Sequence, residues 1–130
     1  MSPRPLALAL IALAGAASVS AGEEIVIEAT AVRPPVLQVS LQARVTFVNR
    51  SGRTVHVEFL GDQGEHHVVQ VPGRIAATFL RPGRHPYVVH FYAPSARDLR
   101  GVVEVGAGAG PPAEPYACAG TALGGICLER

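Results

Sequence analysis

The side chains with metal-binding chemistry in this 130-residue sequence are five histidines and two cysteines. They are His56, His66, His67, His85, His90, Cys118 and Cys127. Imidazole nitrogens suit Cu(II) and Zn(II), and a thiolate is the soft ligand of copper electron-transfer sites. The only methionine is Met1. Which of these groups can share a site depends on the elements that carry them.

Strand alternation places two of the histidines on outward faces. His56 shares a strand face with Thr54 and Glu58, and His90 shares one with Val88 and Tyr92. His66 and His67 face opposite sides of their strand, so only one of them can join the others. This predicts a copper or zinc site made by His56 and His90, with Glu58 or His66. The alternative is that these are ordinary polar strand residues, because no ligand spacing typical of zinc sites occurs.

The beginning of the chain predicts export. Arg4 precedes the apolar run Leu6 to Ala14, and small residues end at Ala21, which is typical of a secretory signal peptide over residues 1–21. The run is too short to span a bilayer, so we expect no membrane span in the mature chain. An exported chain is periplasmic or secreted, and there an even cysteine count predicts a disulfide between Cys118 and Cys127.

Charge and motifs exclude several function classes. The formal net charge is +1, and removing Arg4 leaves it at zero. The chain has no lysine and its arginines are scattered, so nucleic acid is not an expected partner. No nucleophile elbow, phosphate loop, dinucleotide fingerprint or His-Glu-x-x-His motif occurs, and we expect no enzymatic activity.

The middle of the chain alternates short β-prone stretches with Gly and Pro breakers, which predicts an all-β fold. About seven to eight strands at this spacing favour a Greek-key β-sandwich. We expect its domain to cover residues 22–106, followed by a Gly/Pro linker and cysteine-containing tail over 107–130. Strand alternation predicts three groups of core residues, each on one face of a strand. They are Val45, Phe47 and Asn49; Val55, Val57 and Phe59; and Tyr87, Val89 and Phe91.

The order of these features resembles the plastocyanin/azurin (cupredoxin) family over residues 24–105. The resemblance rests on Val45 to Asn49, on His56 near the family's first copper ligand, on Arg81-Pro82-Gly83 before Tyr87, and on Gly101 to Val105. It implies a cupredoxin-like sandwich whose type 1 copper ligands are lost. Counting back from Gly101, the loop positions of Cys, His and Met hold Phe91, Pro94 and Leu99. Without a thiolate we expect no blue copper site.

Three interpretations of the function follow. The first is a non-catalytic binding or accessory module beside an unidentified periplasmic protein partner, in a redox or metal-handling system, and it rests on the resemblance. The second is a histidine-based carrier of copper or zinc ions, and the third is a structural or assembly domain.

Arginines near turns could dock an acidic partner or hold an anion, or could reflect the absence of lysine alone. They are Arg50, Arg53, Arg81, Arg84, Arg97 and Arg100.

Overall fold

The structure is a computed structural model that describes residues 23–61, 64–107 and 116–130. Those residues form eleven β-strands and no helix. In chain order the strands are β1 (Glu23–Ile27), β2 (Val32–Arg33), β3 (Val36–Val39), β4 (Arg44–Asn49), β5 (Val55–Leu60), β6 (His66–Val71), β7 (Arg74–Phe79), β8 (Gly83–His90), β9 (Leu99–Val105), β10 (Thr121–Leu123) and β11 (Ile126–Glu129). The described residues thus contain no helix that could cross a bilayer.

The strands form two mixed sheets that pack face to face. One sheet has the order β10-β11-β7-β4-β1-β2, and the other has the order β3-β9-β8-β5-β6. Most neighbours are antiparallel, while β1 pairs with β4 and β3 pairs with β9 in parallel. The all-β sandwich predicted from the sequence is confirmed. The eight strands β1 and β3 to β9 agree with the expected number of seven to eight, and β2 is a short addition.

Aromatic rings from both sheets fill the centre of the core. The ring of Phe47 on β4 meets those of Phe59 on β5 and Tyr87 on β8 edge-on, with centroids 5.5 and 5.2 Å apart. This edge-to-face arrangement is favoured by the ring quadrupoles. The Tyr87 ring also lies against Gly101, its cross-strand partner on β9, where any Cβ would overlap it. The core candidates other than Asn49 are confirmed as buried.

The C-terminal segment is part of the sandwich. Strand β11 pairs with β7, and β10 pairs with β11, so residues 121–129 extend the six-stranded sheet at its edge. The predicted disulfide is present between Cys118 and Cys127, and Cys127 is fully buried. The described fold therefore continues past Gly106, where the sequence prediction ended the domain. The predicted signal peptide and residues 108–115 of the predicted linker lie outside the described residues.

Strand direction brings four connections to one end of the sandwich, which we call the upper end. They are residues 28–31, 50–54, 72–73 and 91–98. The pairing registers require this, since β1 and β4 run upward together and β5 starts opposite the end of both β6 and β8. The upper end is where loop side chains from both sheets can meet.

Candidate functional site

Two of the predicted site histidines are direct neighbours on the outer face of the five-stranded sheet. His56 on β5 and His90 on β8 are cross-strand partners near the upper end. Their chain neighbours Val55, Val57 and Val89 are fully buried, so alternation turns both imidazoles outward. His66 on β6 stands on the same face, diagonal to Glu58. The fold therefore collects His56, His66 and His90 on one surface.

Glu58 lies between two of these imidazoles and contacts both. Its Oε1 accepts a hydrogen bond from His90 Nε2 at 2.7 Å, and its Oε2 contacts His66 Nδ1. The side chains of Glu58 and His90 are each 19% exposed, whereas His66 is 59% exposed. These hydrogen bonds, with that of His90 first, hold the pKa of Glu58 below its ordinary value.

A second carboxylate, Asp98, engages the other nitrogen of His90. Its Oδ2 lies 3.1 Å from His90 Nδ1. Both ring nitrogens of His90 thus face carboxylate oxygens, an arrangement that only the doubly protonated imidazolium satisfies as a donor. The hydrogen bond to Glu58, supported by Asp98, raises the pKa of His90 against the opposing effect of burial. His90 is therefore held in its charged form over a wider pH range than an ordinary histidine.

Tyr92 completes this surface, which we call the His–Glu cluster and define as His56, Glu58, His66, His90 and Asp98 with the Tyr92 ring. Tyr92 is 70% exposed, and its φ of 55° lies in the left-handed region. Its ring stacks on His90 with centroids 5.6 Å apart and meets His56 edge-on at 5.0 Å. Nδ1 of His56 is buried and has no hydrogen-bond partner among the described residues.

The described part of the chain contains no group of three or more His, Cys, Asp and Glu side chains arranged to hold a metal ion. In the cluster, Glu58 lies between His66 and His90 as a hydrogen-bond acceptor, and both ring nitrogens of His90 face carboxylate oxygens. Metal binding by His56, His66 and His90 stays a prediction.

The other two histidines lie elsewhere. His85 is 8% exposed, its Nε2 bonds the Arg81 carbonyl at 2.8 Å, and its ring packs on Phe79. His67 faces away from His66, with Nε2 3.9 Å from a Glu65 carboxylate oxygen. Neither approaches the His–Glu cluster, and His85 has a structural role in this packing.

Solved structures of known proteins match this fold at low sequence identity. A proline-to-phenylalanine mutant of reduced amicyanin is 21% identical with a TM-score of 0.52, covering 65% of this chain and 82% of its own. A purple cupredoxin from Nitrosopumilus maritimus is 21% identical with a TM-score of 0.50, covering 64% and 98%. The chain has a cupredoxin-like fold. A methionine-to-alanine mutant of amicyanin in its Cu(I) form is similar, at 21% identity and a TM-score of 0.51, covering 68% and 85%. No family model and no curated protein sequence matches the chain.

In this cupredoxin-like fold, the loop positions that the resemblance assigns to copper ligands hold side chains without donor atoms. Phe91 is buried in the core, Leu99 packs against the core, and Pro94 is exposed. Both cysteines are joined in the disulfide, with Cys127 on β11 of the opposite sheet. A type 1 site requires a thiolate. These residues therefore do not fit a blue copper centre.

Asp98 and Tyr92 are the site residues that sequence reasoning missed or misplaced. Asp98 lies in the loop between β8 and β9, which carries no periodic signal. The sequence indicated that Tyr92 continues the strand of His90, but β8 ends at His90 and the positive φ of Tyr92 redirects the chain. The Tyr-Ala-Pro sequence that follows His90 and Phe91 is the one local indication of a break there.

Proposed function

We propose that this chain is an exported, non-catalytic binding module of a periplasmic redox or metal-handling system, built on a cupredoxin-like fold without a type 1 copper site. The fold similarity to copper-containing amicyanin supports the proposed link to a redox or metal-handling system. The Cys118–Cys127 disulfide supports an oxidising compartment. The partner is an unidentified protein of the same compartment. This assignment of a role rests on fold analogy.

The observation that carries the proposal is the burial of Phe91. At the position that the resemblance gives to the copper thiolate, this chain has a ring that is 5% exposed within the core cluster. Burying such a side chain stabilises a fold by about 1.5–3 kcal/mol. The interior thus gains its stability at this point from hydrocarbon packing, and binding would take place at the surface.

Copper titration tests the proposal. Purified protein is mixed with stoichiometric Cu(II) and, separately, Cu(I), and the visible spectrum and the affinity are recorded. We expect no intense visible band and no binding tighter than that of a generic histidine pair. An intense band would show copper–thiolate bonding and refute the absence of a type 1 site.

A histidine-based copper or zinc carrier is the second candidate, favoured by the cross-strand pairing of His56 with His90 and by the free Nδ1 of His56. Binding at His90 would require loss of a ring proton and of one carboxylate contact, which makes affinity fall with decreasing pH. Tight, colourless binding lost in His56→Ala and His90→Ala, but kept in His67→Ala, would favour the carrier. His67→Ala is the matched control because His67 faces away from the cluster.

A further inference from the structure

The upper end of the sandwich carries cations that the rest of the fold does not neutralise. Arg50 and Arg53 lie between β4 and β5, Arg74 begins β7, and Arg97 lies between β8 and β9. Within the described ranges, none of these four exposed guanidiniums has an ion-pair partner. The two carboxylates of the same loops are already engaged, Glu28 with Arg33 and Asp98 with His90. A nearly neutral chain therefore presents an excess of positive charge at one end.

Two of these arginines line a cavity of about 380 Å³ at the upper end. Its walls come from three loops, and the lining residues are Ala29, Thr30, Arg53, Ser95, Ala96, Arg97, Asp98 and Leu99. Ala29, Ala96 and Leu99 form the apolar part of the wall, and Leu99 also packs against the core. Hydroxyl groups of Thr30 and Ser95 add hydrogen-bonding capacity. We call this space the loop cavity.

We propose that the loop cavity binds a small organic carboxylate. A guanidinium presents a planar fork of donors that matches carboxylate oxygens, and a charge-assisted hydrogen bond of this kind is stronger than a neutral one. The alanine and Leu99 walls would cover an apolar body, and the volume lies within the range of small-molecule sites. Asp98 is the one acidic lining residue, and the His90 imidazolium compensates its charge.

A cation or a neutral polar molecule fits the cavity less well. Either ligand would leave the positive charges of Arg53 and Arg97 without a counter-charge. Their electrostatic repulsion would increase as the ligand displaces water, because the local dielectric constant falls. Inorganic phosphate would satisfy the guanidiniums but leave the apolar walls uncovered. The loop cavity shares Asp98 with the His–Glu cluster but is lined by none of its histidines. This proposal goes beyond the accessory role and does not depend on it.

The test uses benzoate as the probe, with benzamide as its neutral isostere and inorganic phosphate as the oxyanion without an apolar body. Binding to the purified protein is measured by calorimetry and by amide shifts in NMR spectra, at low ionic strength. We expect benzoate to bind, benzamide to bind at least tenfold more weakly, and amide shifts to centre on Thr30 and Ser95 to Asp98. Absence of benzoate binding at millimolar concentration would overturn the proposal, and so would equal affinity for benzamide or phosphate.

Three variants separate the cavity from general surface charge. Arg53→Gln and Arg97→Gln each remove one guanidinium of the cavity, and we expect each to weaken benzoate binding about tenfold, the loss of one strong charge-assisted contact. Arg50→Gln is the matched control, since it removes an exposed charge of the same loop that does not line the cavity. Equal weakening by Arg50→Gln would overturn the proposal.

Ala29→Leu adds apolar bulk to the wall of the loop cavity without changing its charge. Ala29 is exposed, so a larger side chain there does not disturb the core. We expect it to weaken benzoate binding while the thermal midpoint stays unchanged. Unaltered benzoate affinity in this variant would place the ligand outside the cavity and refute the assignment.

Discussion

Replacing Glu58 by Gln tests whether the His–Glu cluster is an ionic network. Glu58 contacts His90 in a half-sheltered position and His66 in an exposed one. A hydrogen bond to a charged group contributes about 1.5–3 kcal/mol when sheltered, and an exposed ion pair contributes about 0.2–1 kcal/mol. Both side chains of the sheltered contact remain partly solvated, so we take the lower values and expect Glu58→Gln to cost about 1–2 kcal/mol of unfolding free energy.

The unfolding free energy lost in Glu58→Gln must depend on pH, because both partners of the contact have shifted pKa values. His90 has a raised pKa, so its contribution is complete below the ordinary histidine pKa of about 6.5 and disappears as the pH rises through the raised value. Glu58 has a lowered pKa, so its contribution is complete above its ordinary pKa of about 4.5 and disappears as the pH falls through the lowered value. The Glu58–His90 contact therefore stabilises the fold most between about pH 4.5 and 6.5.

Urea unfolding of the wild type and Glu58→Gln at about pH 5.5 and about pH 9 measures this difference. We expect the cost of the substitution to fall at the higher pH, where His90 loses its charge. NMR titration of the His90 ring should show a pKa above about 6.5 in the wild type and a lower one in Glu58→Gln. Glu24→Gln is the control, because Glu24 is exposed on β1. An equal cost at both pH values, together with an unshifted His90, would refute the ionic network.

Three further substitutions or treatments test the packing. Reduction of the Cys118–Cys127 disulfide, which joins residues nine positions apart, should cost about 2.5 kcal/mol through loop entropy and lower the thermal midpoint by about 10–20 °C, as measured by calorimetry with and without reductant. Gly101→Ala should cost about 2–3 kcal/mol in urea unfolding, because its Cβ would overlap the Tyr87 ring; an unchanged midpoint would contradict the packing. Tyr87→Phe should leave the stability equal or raise it by up to about 1 kcal/mol, since the buried Tyr87 hydroxyl has no partner among the described residues; a loss of more than about 1 kcal/mol would reveal a hydrogen bond there.

Several strands between residues 24 and 105 could be predicted because they carry their own alternation, as β5 and β9 do. Val55, Val57 and Phe59 on one face and His56 and Glu58 on the other define β5 and its buried side without any partner strand. The same reasoning placed His90 outward. Local pattern suffices wherever one face of a strand is buried, since a shift of one residue would expose the whole apolar set.

The C-terminal hairpin and the loop contacts could not be predicted in this way. Strand β10 is three residues long, and β11 is held by pairing with β7, more than 45 residues earlier in the chain. Nothing in the local sequence of Thr121 to Leu123 indicates that this hairpin pairs with β7. The contact of Asp98 with His90 likewise depends on how residues 91–98 return to β9, which tertiary packing decides.

Asp98 connects the two sites of the upper end, because it pairs with His90 and also lines the loop cavity. A carboxylate bound beside Asp98 would add negative charge near the imidazolium and favour its charged form. By thermodynamic linkage, protonation of His90 must then favour carboxylate binding by the same factor. A carboxylate in the loop cavity and the proton on His90 would thus be coupled through one shared side chain, Asp98.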